Sequence, residues 1–352
     1  MPAGNAAPIH VLVTVDFPES VLDRIRSVDP RIVVHHHPVS PDEPGEGAVP
    51  DDVLRLAEVA YTSAVLPGPD VAPSLRWAQL DTSGVDHLAG SGLWASDCVV
   101  TTLGGVSPAP LAEWVIMMVL AHAHHLRHTE RLQREGVWPS REYRWTQLMP
   151  RDLRTSTMAI VGYGRIGAEV ARLGRALGMT ILAVRSGSTT AAATAAAIQA
   201  PEPRFGVREP VPDVEAVALE VLDQALGRAD YVVLTVPLTA RTAGMIGAAQ
   251  FAAMKPGAVL INGSRGGVVD EGALLDALDA DRLDLCASDV FTDEPLPQGH
   301  PLWTHPRCLI TPHVAGFAPD YLDAVSRLFT ENLRRYLAGE PLLNVADRER
   351  GY

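Results

Sequence analysis

Three residues of complementary chemistry stand just past three apolar runs in the second half of the chain. Arg265 lies in Asn262-Gly-Ser-Arg265-Gly-Gly-Val-Val-Asp270-Glu271, after the run 258–262. Glu294 lies in Asp289-Val-Phe-Thr-Asp-Glu294-Pro295, after 285–290. His313 lies in Thr311-Pro-His313-Val-Ala-Gly316, after 308–311. A guanidinium fork matches a carboxylate and can polarise a carbonyl beside it. An imidazole exchanges a proton near neutral pH, and a carboxylate can orient it and stabilise its charged form. Singly, each has an ordinary reading: a surface arginine, an exposed loop carboxylate, a capping or core histidine. Together, at the carboxyl ends of successive parallel strands where open α/β sheets bind ligands, they read as one site.

The element that must anchor such a site begins at Thr157. An apolar run, 158–161, leads into Gly162-Tyr163-Gly164-Arg165-Ile166-Gly167. Apolar residues Ile166, Val170, Leu173 and Leu177 follow at helical intervals, then Gly178 at a helix end, then a second apolar run, 181–184. A glycine triplet at this spacing is weak evidence alone. Between a strand and a helix it is the signature of a dinucleotide-binding turn. Gly162 permits the tight turn, Gly164 lets backbone approach a pyrophosphate, and Gly167 allows the helix to pack on the strand. The helix N-terminus then offers unpaired N–H groups and a positive dipole end to the phosphates.

At 352 residues the chain is long enough for two domains. A formal net charge of −13 without a basic block argues against nucleic acid or an anionic membrane as partner. Cys98, Cys286 and Cys308 are odd in number and far apart, as expected of free thiols in a reducing cytoplasm. Residues 1–8 carry no Lys or Arg and lead into a short apolar run, so no signal peptide is expected. The longest apolar helix-like run, 114–120, is too short to span a bilayer.

In chain order, strands are expected at 9–15, 31–35, 58–61, 76–80 and 98–101, with a helix over 20–28, as a first α/β domain over 1–107. The tract 38–50 reads as a loop. A long helix is expected over 108–128, with Leu111, Val115, Met118 and Leu126 on its buried face. The dinucleotide unit continues with strands at 231–236, 258–262, 285–290 and 308–311, alternating with helices at 219–226 and 270–278. A final amphipathic helix over 318–338, with Leu322, Val325, Phe329, Leu333 and Tyr336 facing inward, is expected to return to the first domain. The Thr/Ala-rich and Pro-rich tract 186–212 reads as a mobile surface insertion, with a cofactor lid as the alternative. Of the other histidines, His122, His124, His125 and His128 share the long helix. His124 and His128 have the spacing of a metal pair but no acidic or cysteine companion. His35, His36 and His37 alternate along a strand, so no metal site is expected.

These motifs strongly resemble the D-isomer-specific 2-hydroxyacid dehydrogenases over nearly the whole chain. Thr82-Ser-Gly-Val-Asp-His87, Leu111-Ala-Glu113, Gly136-Val-Trp138 and Val236-Pro-Leu-Thr239 belong to the same likeness. It implies an α/β fold of two Rossmann-like domains. A doubly wound nucleotide-binding domain, 108–313, would be inserted in a smaller, discontinuous, flavodoxin-like substrate domain made of 1–107 and 314–352. It implies hydride transfer between NAD(P)H and C2 of a small 2-oxo acid, with His313 as general acid/base, Glu294 as its partner and Arg265 as carboxylate and carbonyl binder. Ser83 and Gly84 would present backbone N–H groups to the substrate carboxylate. Cofactor contacts would fall on the 162–167 turn and on Arg185, Ser186, Val236, Pro237, Thr242, Asn262, Gly263, Ser264, Asp289 and Gly316.

Several positions depart from the family pattern. The acidic residue expected at the end of the second strand is absent. Arg185 stands there, 18 residues after Gly167, followed by Ser186. An arginine can bind a 2′-phosphate, which favours NADP over NAD, although Arg185 can also stack on adenine. Around Tyr61, where relatives often place a base, the chain reads Tyr61-Thr-Ser-Ala-Val-Leu66; Thr102 and Ser107 replace common asparagines. A phosphorylated substrate is therefore disfavoured. Glyoxylate, hydroxypyruvate and branched or aromatic keto acids remain, and Glu294 speaks against formate oxidation. The alternatives are phosphite oxidation with the same three residues, or a co-repressor-like nucleotide sensor on the same fold. Trp114, Ile116, Met117 and Val119 exceed what one buried stripe needs, so a homodimer packed through this helix is expected.

Overall fold

The computed structural model describes residues 7–39, 49–63, 66–187 and 211–352. It divides into two units, Met1–Val106 with Ala318–Tyr352, and Ser107–Phe317. Most of the tracts 38–50 and 186–212 lies outside the described residues.

The first unit begins with β1 (Ile9–Val13), α1 (Glu19–Arg26), β2 (Ile32–His36), α2 (Asp51–Leu56), β3 (Val59–Thr62), β4 (Trp77–Leu80), α3 (Gly92–Ala95) and β5 (Val99–Thr101). The strands form one parallel sheet in the order β2-β1-β3-β4-β5. β3 and β4 are buried along their whole length, as parallel strands covered on both faces must be. A buried polar chain ties the sheet's far edge together. Trp77 Nε1 donates to Thr101 Oγ1 at 2.8 Å, and that hydroxyl donates to Gln79 Oε1 at 2.8 Å.

The second unit opens with α4 (Pro108–Ala123), α5 (Leu126–Arg134) and α6 (Arg141–Gln147). The expected single helix over 108–128 is broken. His125 adopts a left-handed φ of 53°, so the chain turns between α4 and α5, and Leu126 is exposed rather than buried. No glycine or proline marks this break. Trp114 and Val119, assigned to a second apolar face, are buried in the core with Leu111, Val115 and Met118. His124 and His128 fall on either side of the break, and His128 Nε2 meets the Tyr143 hydroxyl at 2.8 Å.

There follow β6 (Thr157–Val161), α7 (Arg165–Ala176), β7 (Thr180–Arg185), β8 (Val214–Ala218), α8 (Leu222–Leu226), β9 (Tyr231–Leu234), α9 (Ala248–Ala253), β10 (Ala258–Asn262), α10 (Glu271–Asp279), β11 (Leu283–Ser288) and β12 (Cys308–Ile310). The seven strands are parallel, in the order β12-β11-β10-β9-β6-β7-β8. The order reverses at β6, so the carboxyl end of β6 is the crevice where a doubly wound sheet binds its ligand. β8 and α9 went unread in the sequence. β8 is a short edge strand of mixed Val, Glu and Ala, which presents no apolar run.

The chain then rejoins the first unit as α11 (Tyr321–Ala338). Val325, Phe329 and Leu333 face inward and Phe329 packs against Tyr61 and Trp77, but Leu322 is exposed. Arg24 of α1 clamps this helix through Asp323 and Ser326, each at 2.8 Å. Asn332 Nδ2 joins the buried polar chain at Gln79 Oε1, 3.1 Å away. His35 does not converge with His36; it meets His10 of β1 at 2.8 Å, while His36 reaches the Val15 carbonyl. Cys98, Cys286 and Cys308 are buried free thiols. Among the described residues no three His, Cys, Asp or Glu side chains form a metal-holding group, and no helix is long and apolar enough to cross a membrane.

Candidate active site

All three chemically suggestive side chains lie in the second unit, on loops leaving β10, β11 and β12. After β10, Asn262 Oδ1 accepts from Ser264 N at 3.1 Å and Ser264 Oγ at 2.6 Å, which curls the loop back on itself. Arg265 follows in extended backbone, its Nη1 donating to the Ser264 carbonyl at 2.8 Å. Gly266 then runs against the next loop. A Cβ there would sit 1.8 Å from the carbonyl carbon of Phe291. Only glycine lets the Arg265 loop and the Glu294 loop touch.

After β11, Glu294 Oε1 accepts from Phe291 N at 2.9 Å, so the carboxylate is held by its own loop. Its other oxygen, Oε2, lies 2.7 Å from His313 Nδ1. His313 has a left-handed φ of 53°. Asp289 holds it there. Its Oδ1 accepts from Thr311 Oγ1 at 2.5 Å and Val314 N at 2.9 Å, its Oδ2 from Ala315 N at 2.9 Å, and its carbonyl from His313 N at 2.9 Å. Asp289, read in the sequence as a cofactor contact, is 3% exposed and spends these four bonds on the histidine loop. The imidazole itself remains half exposed. The imidazole is thus fixed through Nδ1, while Nε2 has no partner among the described residues and can exchange a proton with a ligand.

The glycine turn sits at the switch point. Gly162 has φ 102°, and a Cβ there would lie 2.7 Å from Thr235 C and Val236 N. Thr235 Oγ1 closes the contact by donating to the Gly162 carbonyl at 2.7 Å. Gly164 caps α7 without a side-chain cap bond, so the positive end of the helix faces the glycine turn. Ile166 packs partly on the core, and Tyr163 is buried, its phenol pushed up to about 12 by burial. Burial also lowers the Arg165 guanidinium from its ordinary value.

At the end of β7 the Arg185 Nη1 atom is buried without a hydrogen-bond partner among the described residues. A buried charged donor left unpaired is costly and points to an absent anionic partner. Ser186 beside it is exposed. This orphan donor, the uncapped start of α7 and the glycine turn fit a dinucleotide. Thr242 Oγ1 donates to the Pro237 carbonyl at 2.6 Å and closes the turn after Val236. Gly263 packs on Leu111 and Trp114 of α4, and Gly316 lies against Ser107. Ser83 and Gly84 lie in the first unit, in the turn after β4. The sequence reading missed the loop-to-loop contact at Gly266; the Gly266-Gly267 pair was its signal.

The chain can be set beside known proteins on this basis. The model of the D-isomer specific 2-hydroxyacid dehydrogenase NAD binding domain matches residues 116–205 and 192–315. A glyoxylate reductase from Korarchaeum cryptofilum is 33% identical over 282 residues, covering 80% of this chain and 78% of that protein. A D-3-phosphoglycerate dehydrogenase from Archaeoglobus fulgidus is 30% identical over 75% of this chain, which spans 46% of that longer protein. Among solved structures, a D-isomer specific 2-hydroxyacid dehydrogenase from Xanthobacter autotrophicus in complex with NADPH and MES has a TM-score of 0.79 at 29% identity, covering 99% of this chain and 100% of that one. An NADPH-dependent glyoxylate/hydroxypyruvate reductase from Sinorhizobium meliloti with NADP and sulfate gives 0.77 at 26% identity, over 98% and 100%. With its paired parallel sheets, glycine turn and strand-end Arg, Glu and His, the chain belongs to the D-isomer-specific 2-hydroxyacid dehydrogenases, a family of NAD(P)-dependent oxidoreductases.

Proposed function

We propose that the protein reduces a small 2-oxo acid at C2 to the D-2-hydroxy acid, with NADPH as the preferred cofactor. The observation that carries this reading is the 2.7 Å contact between Glu294 Oε2 and His313 Nδ1, on loops joined to that of Arg265. The 162–167 turn and the start of α7 would hold the pyrophosphate, and Arg185 the 2′-phosphate. Bound there, the cofactor supplies the hydride. Arg265 grips the substrate carboxylate and polarises the C2 carbonyl. His313 delivers a proton from Nε2 to the carbonyl oxygen, and Glu294 orients the ring and stabilises its protonated form. Asp289 keeps the histidine loop in place, and Ser83 and Gly84 add backbone donors for the substrate carboxylate.

The reading extends to assembly. With Trp114 and Val119 in the core, the apolar surface left over is not mainly on α4. It lies on α5, α6 and the segment between them, where Leu126, Trp138 (85% exposed) and Trp145 (61% exposed) are open and no helical residue is buried. We assign this face to a second copy of the chain.

A panel of 2-oxo acids assayed with NADPH and with NADH tests the reading. Glyoxylate, hydroxypyruvate and branched keto acids should be reduced, with NADPH ahead in kcat/KM. Arg185→Asp should erase or reverse that preference by about 10- to 100-fold, the scale of one charge-assisted contact. Equal efficiency with both cofactors in the parent would remove the role given to Arg185.

A further inference from the structure

The loop that carries Glu294 is held by a second carboxylate, which the chemistry above does not use. From Thr292 to Pro295 this loop is exposed and buries no side chain, so packing alone cannot fix it. Its anchor is the peptide between Phe291 and Thr292. That peptide lies against Gly266, where a Cβ would come within 1.8 Å of the Phe291 carbonyl carbon and 2.3 Å of Thr292 N. Its N–H is taken by Glu271, whose Oε1 accepts from Thr292 N at 2.7 Å. Two carboxylates thus take consecutive amides of one loop, since Glu294 Oε1 accepts from Phe291 N at 2.9 Å. Glu271 Oε2 stands 3.6 Å from His300 Nε2, and both side chains are mostly buried, 20% and 22% exposed. Glu271 is the first residue of α10, but the capping role there is already filled. Asp270 Oδ1 accepts from Ala273 N at 3.0 Å. The Glu271 side chain is left to reach a loop 21 positions further along the chain.

We propose that Glu271 is a positioning residue for the reduction: by holding the Phe291–Thr292 peptide against Gly266, it sets the Glu294 carboxylate on His313 Nδ1. The proposal rests on the roles given above to Glu294 and His313. An amide bonded to a carboxylate is held more strongly than one bonded to a neutral acceptor, and its direction restrains the peptide plane. Glu294 lies two residues beyond Thr292 with its Oε1 returned to Phe291 N, so a tilt of this peptide is passed on to the carboxylate. Misplacing a reacting group by about 1 Å can cost on the order of 100-fold in rate. Arg265 is anchored separately, through the Asn262–Ser264 turn and the Ser264 carbonyl, and the glycine turn leaves a different strand. Binding of substrate and cofactor should therefore not depend on Glu271.

The test is a double-mutant cycle on the full-length enzyme with its best 2-oxo acid and preferred cofactor. Glu271→Ala should lower kcat by about 10- to 100-fold, while KM for substrate and cofactor changes by less than about threefold. Glu271→Gln, whose amide oxygen can still accept from Thr292 N, should recover most of that loss. In a Glu294→Ala background the carboxylate to be placed is gone, and Glu271→Ala should cost less than about threefold. If Glu271→Ala fails to fold, Glu271→Met fills the same space without an acceptor and takes its place in the cycle. The proposal is overturned, and the activity left standing, by an equal loss of kcat in both backgrounds, by no loss in the parent background, or by no recovery in Glu271→Gln. A rise in both KM values as large as the fall in kcat also overturns it, because a general loosening of the fold would do that. A parent that reduces no 2-oxo acid, or a Glu294→Ala variant as active as the parent, instead removes the reading on which the proposal rests.

Discussion

At the scale of single residues, the site depends on side chains whose partners are already in place. Glu294 is held by Phe291 N before it holds His313, so the imidazole is oriented without a ligand's help. Glu294→Gln keeps a hydrogen-bonding atom but removes the charge, and should lower kcat for reduction with little change in cofactor affinity. Reduction takes up one proton per turnover and the reverse reaction releases one, so raising the pH should favour oxidation over reduction. Asp81, directly after β4, accepts from the Tyr61 hydroxyl at 2.5 Å and the Tyr321 hydroxyl at 3.4 Å, and it bears on stability. Burial raises its carboxyl above the ordinary 3.8, so the native state binds this proton more tightly than the unfolded chain does. The stability it lends is complete below 3.8 and is lost as the pH rises through the raised native value. Asp81→Asn should abolish that loss. In melting curves between pH 4 and 7 the parent should lose stability relative to the variant; parallel pH dependence in the two would contradict this.

At the scale of elements, three strand ends and one glycine turn make the site, and these parts were legible because each is local. The 162–167 turn is written in consecutive residues between two apolar runs, and Arg265, Glu294 and His313 each follow such a run. What could not be read joins distant residues or lacks a marker. Asp81 meets Tyr61 and Tyr321 across 20 and 240 positions. The break at His125 has a left-handed residue but neither glycine nor proline to announce it. The network that Asp289 makes with Thr311, Val314 and Ala315 spans more than twenty positions and has no local marker. The meeting of the loops at Gly266 gives a sharp prediction. Gly266→Ala puts a Cβ against Phe291 backbone, so the loops must part. It should destabilise by about 1–3 kcal/mol, as overpacking does, and cut kcat well beyond what that loss of stability explains. Thermal melting and steady-state kinetics on one preparation separate the two effects. A variant as active as the parent would show that Arg265 and Glu294 need not be held together.

At the scale of the whole molecule, the chain makes two parallel-sheet units, one of them built from both ends of the sequence. The segment from α5 to α6 has no core of its own, and its exposed tryptophans are more than a lone subunit would leave in water. Light scattering at micromolar concentration should give a dimer mass, and Trp138→Ser with Trp145→Ser should shift it toward the monomer. A monomeric parent would end that assignment. The central claim is that His313 protonates the carbonyl oxygen of a 2-oxo acid while hydride reaches C2, yielding one hydroxy-acid enantiomer. Its most direct test is chiral analysis of the product formed from a 2-oxo acid with a carbon tail, such as hydroxypyruvate, and NADPH, by the parent and by His313→Ala. The account predicts the D-2-hydroxy acid alone from the parent. From the variant it predicts a rate lower by about 10²–10⁴-fold with cofactor binding retained. An L or racemic product, or a His313→Ala variant that turns over like the parent, would contradict it.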